Sequence, residues 1–284
     1  MRIVTTEYPV YNLWIQRPFE LEGYTFTPAG SMAGYQDRVR QLLASAEDSQ
    51  TVDVLRRTHE GDNAVPAHLW ESGCALDDFL TLLSFGQGRN IHYKEARWRA
   101  CEDDQMVGQG VQRHYIGRAL IRGEQAISPF EIEPFLQQAV GKIRIPGWLE
   151  DTGFSSGVFW YLESLAVPNY ELRYVSAWHG FVAVVGRYVQ QSASAQENGQ
   201  PNAELILAFR DAHQYDFILD DHPPVWEELS RDFLQRHPRD RIFSSRHAYI
   251  YGRKLQLVLL LVLLDLAGTP DFARRASLIR DIRR

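Results

Sequence analysis

Two short stretches near the C-terminus repeat one spacing of arginine and histidine. Arg241-Ile242-Phe243-Ser244-Ser245-Arg246-His247 and Arg231-Asp232-Phe233-Leu234-Gln235-Arg236-His237 both read R-x-F-x-x-R-H. Imidazole titrates near neutral pH, so it can take or give a proton under working conditions. Guanidinium is a rigid fork of donors that fits carboxylate and phosphate oxygens. His237 precedes Pro238 and so falls at a helix end, where an imidazolium merely complements the dipole. Arg241 and His247 are the stronger pair. A second cluster, Asp211, His213, Asp216, Asp220, Asp221 and His222, has ligand types for a hard or borderline cation. Its spacing matches no metal template, and an acidic run leading into the Pro223-Pro224 helix start explains it without metal. His179, between Trp178 and Gly180, reads as a core or interface histidine. Trp70, Trp98 and Trp148 could stack on bases, but core packing accounts for each. There is no Gly-x-Ser-x-Gly elbow and no Walker loop, Gly86-Gln87-Gly88 follows a helix instead of opening one, and Cys74 has no evident partner.

The elements that must carry these residues change character near Gly123. Before it the chain reads as mixed but strand-rich. Tyr8–Ile15, Glu20–Phe26 and Thr51–Leu55 suit strands, as do Asn90–Trp98 and Gly110–Leu120, split by the acidic turn Glu102-Asp103-Asp104. Leu76, Phe79, Leu80 and Leu83 follow helical spacing, which predicts a helix over Leu76–Phe85. After Gly123 helices dominate. Glu133-Pro134 opens one; Ser155-Ser156 caps a second that stops at Val167-Pro168; Asn169 caps a third, Tyr170–Gln191. Its Tyr174, Trp178, Phe181, Val182, Val185 and Val189 share a face. Ser192–Ala203 reads as a polar loop. Helices over Pro224–Arg236 and Asp240–Leu266 follow, then a basic tail. If Arg241 and His247 both lay on an ideal α-helix they would point about 120° apart; a 3₁₀ turn through Phe243–Arg246 would align them. The expectation is an α+β chain of two modules: a β-rich N-terminal domain, 1–125, and an all-α helical bundle, 126–284.

Composition narrows the class. The 284 residues, 45% of them hydrophobic, suffice for two cores. The apolar run Leu255–Leu266 contains Gln256 and Asp265 and is too short to span a bilayer, so a buried helix and no membrane association are expected. Nothing at Met1–Glu7 resembles a signal peptide. Two cysteines without a CxxC spacing fit free thiols in a reducing cytoplasm. Net charge is −6, yet from Arg236 onward eleven basic residues face four acidic ones, +7, leaving −13 on the preceding 235. That basic end could attract phosphate, although Arg also suits a solvated terminal helix.

The segment Gly153-Phe154-Ser155-Ser156-Gly157-Val158-Phe159-Trp160-Tyr161-Leu162-Glu163, leading into Tyr170–Tyr188 and then Arg241-x5-His247 before a final apolar helix, resembles the Apea-like HEPN domains over roughly Ile127–Gly268. The module containing Leu76–Arg89 is similar to strand-rich N-terminal domains attached to that class in phage-defence proteins. The resemblance implies a metal-independent endoribonuclease that needs no cofactor, works as a homodimer on RNA, and answers to a protein or ligand trigger at the N-terminal module. It implies that Arg241 and His247 are catalytic, with Arg246 supporting and Tyr251, one turn beyond His247, available to hydrogen-bond it. Cleaving RNA by 2′-OH attack needs a base near neutral pH and a fixed cation on the phosphate oxygens, which histidine and arginine supply. The pattern has a polar residue after the arginine and a Glu near the middle of the third helix. Here stand Ile242 and Phe181–Val185, which keeps a non-catalytic binding or dimerisation protein as the alternative.

Overall fold

The computed structural model describes residues 2–28, 50–60, 65–114, 123, 126–192 and 223–269. The Asp211–His222 cluster, the polar stretch beyond Ser192 and the basic tail lie outside the described residues, as does the end of the strand expected to reach Leu120. The fold is α+β, an N-terminal antiparallel sheet followed by helices. Two compact units divide after Gln137.

In the first unit, strands β1 (Arg2–Tyr11), β2 (Phe19–Leu21), β3 (Tyr24–Pro28), β4 (Gln50–Glu60), β6 (Glu95–Glu102) and β7 (Gln105–Arg113) lie in the order β2-β3-β4-β1-β6-β7, and the short β5 (His92–Tyr93) also pairs β1. Every pairing is antiparallel. Period-2 alternation sends Val4, Thr6, Tyr8 and Val10 of β1 inward. Their neighbours Val52, Val54, Tyr24, Phe26, Ala96 and Ala100 complete the buried face. The stretch expected as one strand, Glu20–Phe26, is a hairpin. Glu22 and Gly23 have φ 54° and 77° and join Leu21 to Tyr24, as a two-residue turn between right-twisted strands requires. Asp103 and Asp104, at φ 48° and 64°, make the same turn between β6 and β7. Helix α1 (Val65–Gln87) starts eleven residues before the expected Leu76. It buries Leu76, Leu80 and Leu83, with Phe79 edge-on to Tyr24 at 5.6 Å.

The division between units falls inside α2 (Ile132–Ile143). The second unit holds α3 (Trp148–Thr152), α4 (Phe154–Ala166), α5 (Tyr170–Ser192), α6 (Pro223–Gln235) and α7 (Ser245–Leu266). Leu255–Leu264 of α7 are buried without a break, because α4 and α5 pack against this helix; a helix apolar on all sides is a core helix. Close approach is made through glycine. A Cβ on Gly157 would stand 2.4 Å from Val184 Cγ2, and one on Gly180 would stand 2.5 Å from Leu259 Cδ2. The one polar residue within the buried stretch Leu255–Leu264 is satisfied: Gln256 Nε2 donates to Ser164 O at 3.0 Å and Ser164 Oγ at 3.1 Å.

In the second unit two further helix starts differ from expectation. Ser155 and Ser156 are not caps; Gly153, left-handed at φ 67°, sits between α3 and α4. Only glycine adopts that conformation without penalty. The last helix begins at Ser245, not Asp240: Pro238–Asp240 form a 3₁₀ turn, and Arg241 and Ser244 are extended. Neither the continuous helix nor the 3₁₀ turn through Phe243–Arg246 is formed. Asn169 does cap α5, its Oδ1 accepting from Glu171 N at 2.8 Å and Leu172 N at 3.1 Å. No helix among the described residues is long and apolar enough to cross a membrane.

Candidate functional site

The turn from Arg241 to His247 is held by carboxylates that come from other helices. Asp232 of α6 is fully buried. Its Oδ1 accepts from Ile242 N at 2.9 Å and its Oδ2 from Phe243 N at 2.9 Å. Arg236, one turn along α6, donates to Oδ1 at 3.1 Å. Burial pushes the Asp232 carboxyl upward, but the two amide bonds and Arg236 outweigh it and hold the group below the ordinary carboxylate range. Glu171, in the first turn of α5, pairs through Oε2 with Arg241 Nη1. Its other oxygen accepts from Ser245 Oγ at 3.2 Å.

Arg241 is consequently an enclosed cation. Its side chain is 14% exposed, its Nη2 donates to Phe233 O at 3.4 Å, and its guanidinium lies 5.5 Å from the Phe233 ring centroid. Nε is buried and has no hydrogen-bond partner among the described residues. A buried unpaired donor is costly, so this guanidinium is held by its surroundings and not freely exchanging with solvent.

His247 is exposed at the third position of α7 and forms a capping box with Ser244. Ser244 N donates to Nδ1 at 3.3 Å, and Ser244 Oγ lies 2.9 Å from the same nitrogen. The Phe243 ring meets the imidazole edge-on at 5.3 Å. With Nδ1 accepting from the Ser244 amide, Nε2 carries the proton. The other tautomer, in which Nδ1–H donates to Ser244 Oγ and Nε2 keeps a lone pair to act as a base, gives up that amide bond and keeps only the hydroxyl contact.

The other residues singled out in the sequence lie as follows. Arg246 is exposed on the first turn of α7. Tyr251 is half-buried, with Lys254 Nζ 5.5 Å from its ring centroid; His247 bonds Ser244, not Tyr251. His237 caps the 3₁₀ turn, its Nδ1 accepting from Arg239 N at 3.3 Å. His179 is exposed and packs on Trp160 at 5.1 Å. Trp148 packs on Phe154 at 5.1 Å, and Trp98 lies across Gly108 and Gly110. Among the described residues no group of three His, Cys, Asp or Glu could hold a metal. Sequence reasoning missed Glu171, Asp232 and Ser244. Asp232 stood inside the rival motif, where it was passed over for Arg231 and His237.

The first unit has a small surface cleft, partly open to solvent and lined by Tyr8, Cys74, Asp77, Tyr93, Gln112 and His114 among others. His114 stacks on Tyr93 at 4.6 Å, and its Nε2 is 3.4 Å from Asp77 Oδ2. Burial, with Asp77 adding to it, pushes the Tyr93 phenol above its ordinary range.

The chain matches no protein-family model, no curated protein and no solved structure. The functional reading therefore rests on this geometry and on the sequence.

Proposed function

We propose that the chain is a metal-independent HEPN-type endoribonuclease that cleaves RNA by 2′-OH attack and acts as a homodimer, with Arg241 and His247 as its central pair. The observation that supports this reading is the exposed His247 imidazole, held at Nδ1 by Ser244. Such a ring is oriented before substrate arrives. In the tautomer that donates Nδ1–H to Ser244, Nε2 takes the 2′-OH proton. The resulting oxyanion attacks the adjacent phosphorus, the P–O5′ bond breaks, and a proton goes to the departing 5′ oxygen. Arg241 sets the phosphate-binding turn, and exposed Arg246 offers a fork that reaches phosphate without first leaving a carboxylate. A protein or ligand trigger would be taken by the N-terminal unit, whose cleft beside Tyr93 and His114 is the natural place for a small one.

One observation favours the alternative, a non-catalytic binding or dimerisation protein. Glu171 already neutralises Arg241, and apolar side chains stand exposed nearby: Ile242 at 73%, Tyr249 and Ile250. Purified protein incubated with total RNA and EDTA separates the two. Metal-independent fragments support the enzyme, and intact RNA supports the binding protein. His247→Ala and Arg241→Ala should each lower cleavage on the order of 10²–10⁴-fold, while His237→Ala and His179→Ala stay within about tenfold. Undiminished cleavage by His247→Ala would sink the site.

A further inference from the structure

Strand β7 closes one side of the sheet, and among the described residues no strand takes its outer edge. Such edges invite another chain, and proteins usually guard them with charge, proline, short length or a β-bulge. β7 is nine residues long, contains no proline, and has Arg113 at its end as its only charged residue. Met106, Val107 and Val111 are 60%, 49% and 58% exposed. A bulge opposite Ala100 and Cys101 is confined to the Val107 end, and Gly108–Arg113 keep regular register with β6.

The sequence of this edge indicates what covers it. Val107-Gly108-Gln109-Gly110-Val111 reads identically in both directions. An antiparallel pair of such strands centred on Gln109 sets Gln109 opposite its own counterpart, Val107 opposite Val111, Gly108 opposite Gly110, and Gln105 opposite Arg113. The valines, glycines and Gln109 meet matching partners and no like charges face each other; Met106 falls opposite Gln112, at the bulged end. The pairing is its own two-fold image, as an isologous contact must be. The glycines also serve Trp98, since a Cβ on Gly110 would stand 2.7 Å from its Nε1. Among the described residues nothing gives the exposed valines flanking them such a reason. An unrelated peptide would impose no two-fold symmetry on the strand it joins.

We propose that β7 is a self-pairing edge through which two copies of this chain join their sheets, antiparallel about Gln109. The contact is separate from the helical half and does not depend on the ribonuclease reading. If the helical half also self-associates, two isologous contacts on one chain give assemblies larger than a dimer unless they share an axis.

The test uses the full chain. Sedimentation at tens of micromolar should show at least a dimer, and Val107→Lys/Val111→Lys should lose the β7 contact and halve the mass while its melting curve stays that of the parent. A monomeric parent overturns the proposal, as does an equal mass for that folded variant when Gln109→Cys fails to link to itself. Cysteine scanning reads the register whether or not the lysine variant folds. Under mild oxidation Gln109→Cys should link to itself, because directly opposed residues stand about 4.5–5.5 Å apart, within disulfide reach. Val107→Cys should link to itself at least tenfold more slowly, since its counterpart lies about 13 Å along the strand, yet should link readily to Val111→Cys. The parent, with its native Cys74 and Cys101, is run alongside. Equal self-linking of Gln109→Cys and Val107→Cys, both slow, overturns the pairing.

Discussion

Replacing Asp232 with asparagine should loosen the turn that carries Arg241 and His247, and the structure sets the size of the effect. The carboxylate is fully buried and receives the Ile242 and Phe243 amides, each at 2.9 Å. A hydrogen bond to a charged group contributes about 1.5–3 kcal/mol, so the two amides together account for about 3–6 kcal/mol. Arg236 is 35% exposed on its side chain, and solvent screening reduces its share to below about 1 kcal/mol. Asparagine keeps one carbonyl acceptor and turns an NH₂ toward a donor, so about 3 kcal/mol should be lost. For a unit of this size that corresponds to a fall of about 10 °C in Tm. Thermal and urea unfolding followed by near-ultraviolet circular dichroism would measure it, since Trp178 and Tyr174 of the same unit are buried. The pH dependence is also determined. Because the folded carboxyl is held below its ordinary value, its contribution is present above about pH 4 and is lost as the pH falls through the folded value. The parent should therefore exceed Asp232→Asn at pH 7 and converge on it in strong acid. A difference under about 2 °C at pH 7, or one equal at pH 3 and pH 7, would refute the reasoning.

Gly153→Ala should cost at least about 2 kcal/mol, because φ is +67° and the new Cβ would stand 2.3 Å from Ala183 O; Gly141→Ala, in open space within α2, should be neutral or stabilising by about 0.5–1 kcal/mol, and equal unfolding midpoints for the two variants would contradict the packing described. A double-mutant cycle of Glu171→Ala and Arg241→Ala should show a coupling of about 1–2 kcal/mol, whereas additivity within about 0.3 kcal/mol in urea unfolding would mean that the pair contributes nothing.

What could be read from the sequence was what neighbouring residues decide among themselves. Asn169 was legible as a cap because its side chain bonds amides two and three residues on. Leu255–Leu266 was legible as a core helix because a run so apolar has to be buried, and the acidic turn at Asp103-Asp104 was legible because β-strands flank it. The start of the last helix was not. Its continuous apolar and polar pattern reads back to Asp240, yet Asp232 takes the Phe243 amide that a helix started at Asp240 would have used, and holds the Ile242 amide with it. The hairpin at Glu22-Gly23 was hidden because its strands are so short that alternation runs through the turn. Arg241 and His247 could be named from their types and spacing, since the chemistry available to a side chain is intrinsic to it. Their environments could not be. Glu171 lies 70 residues from Arg241, and only the packing of α5 against α7 brings that carboxylate to enclose one member of the pair while Ser244 leaves the other open to solvent.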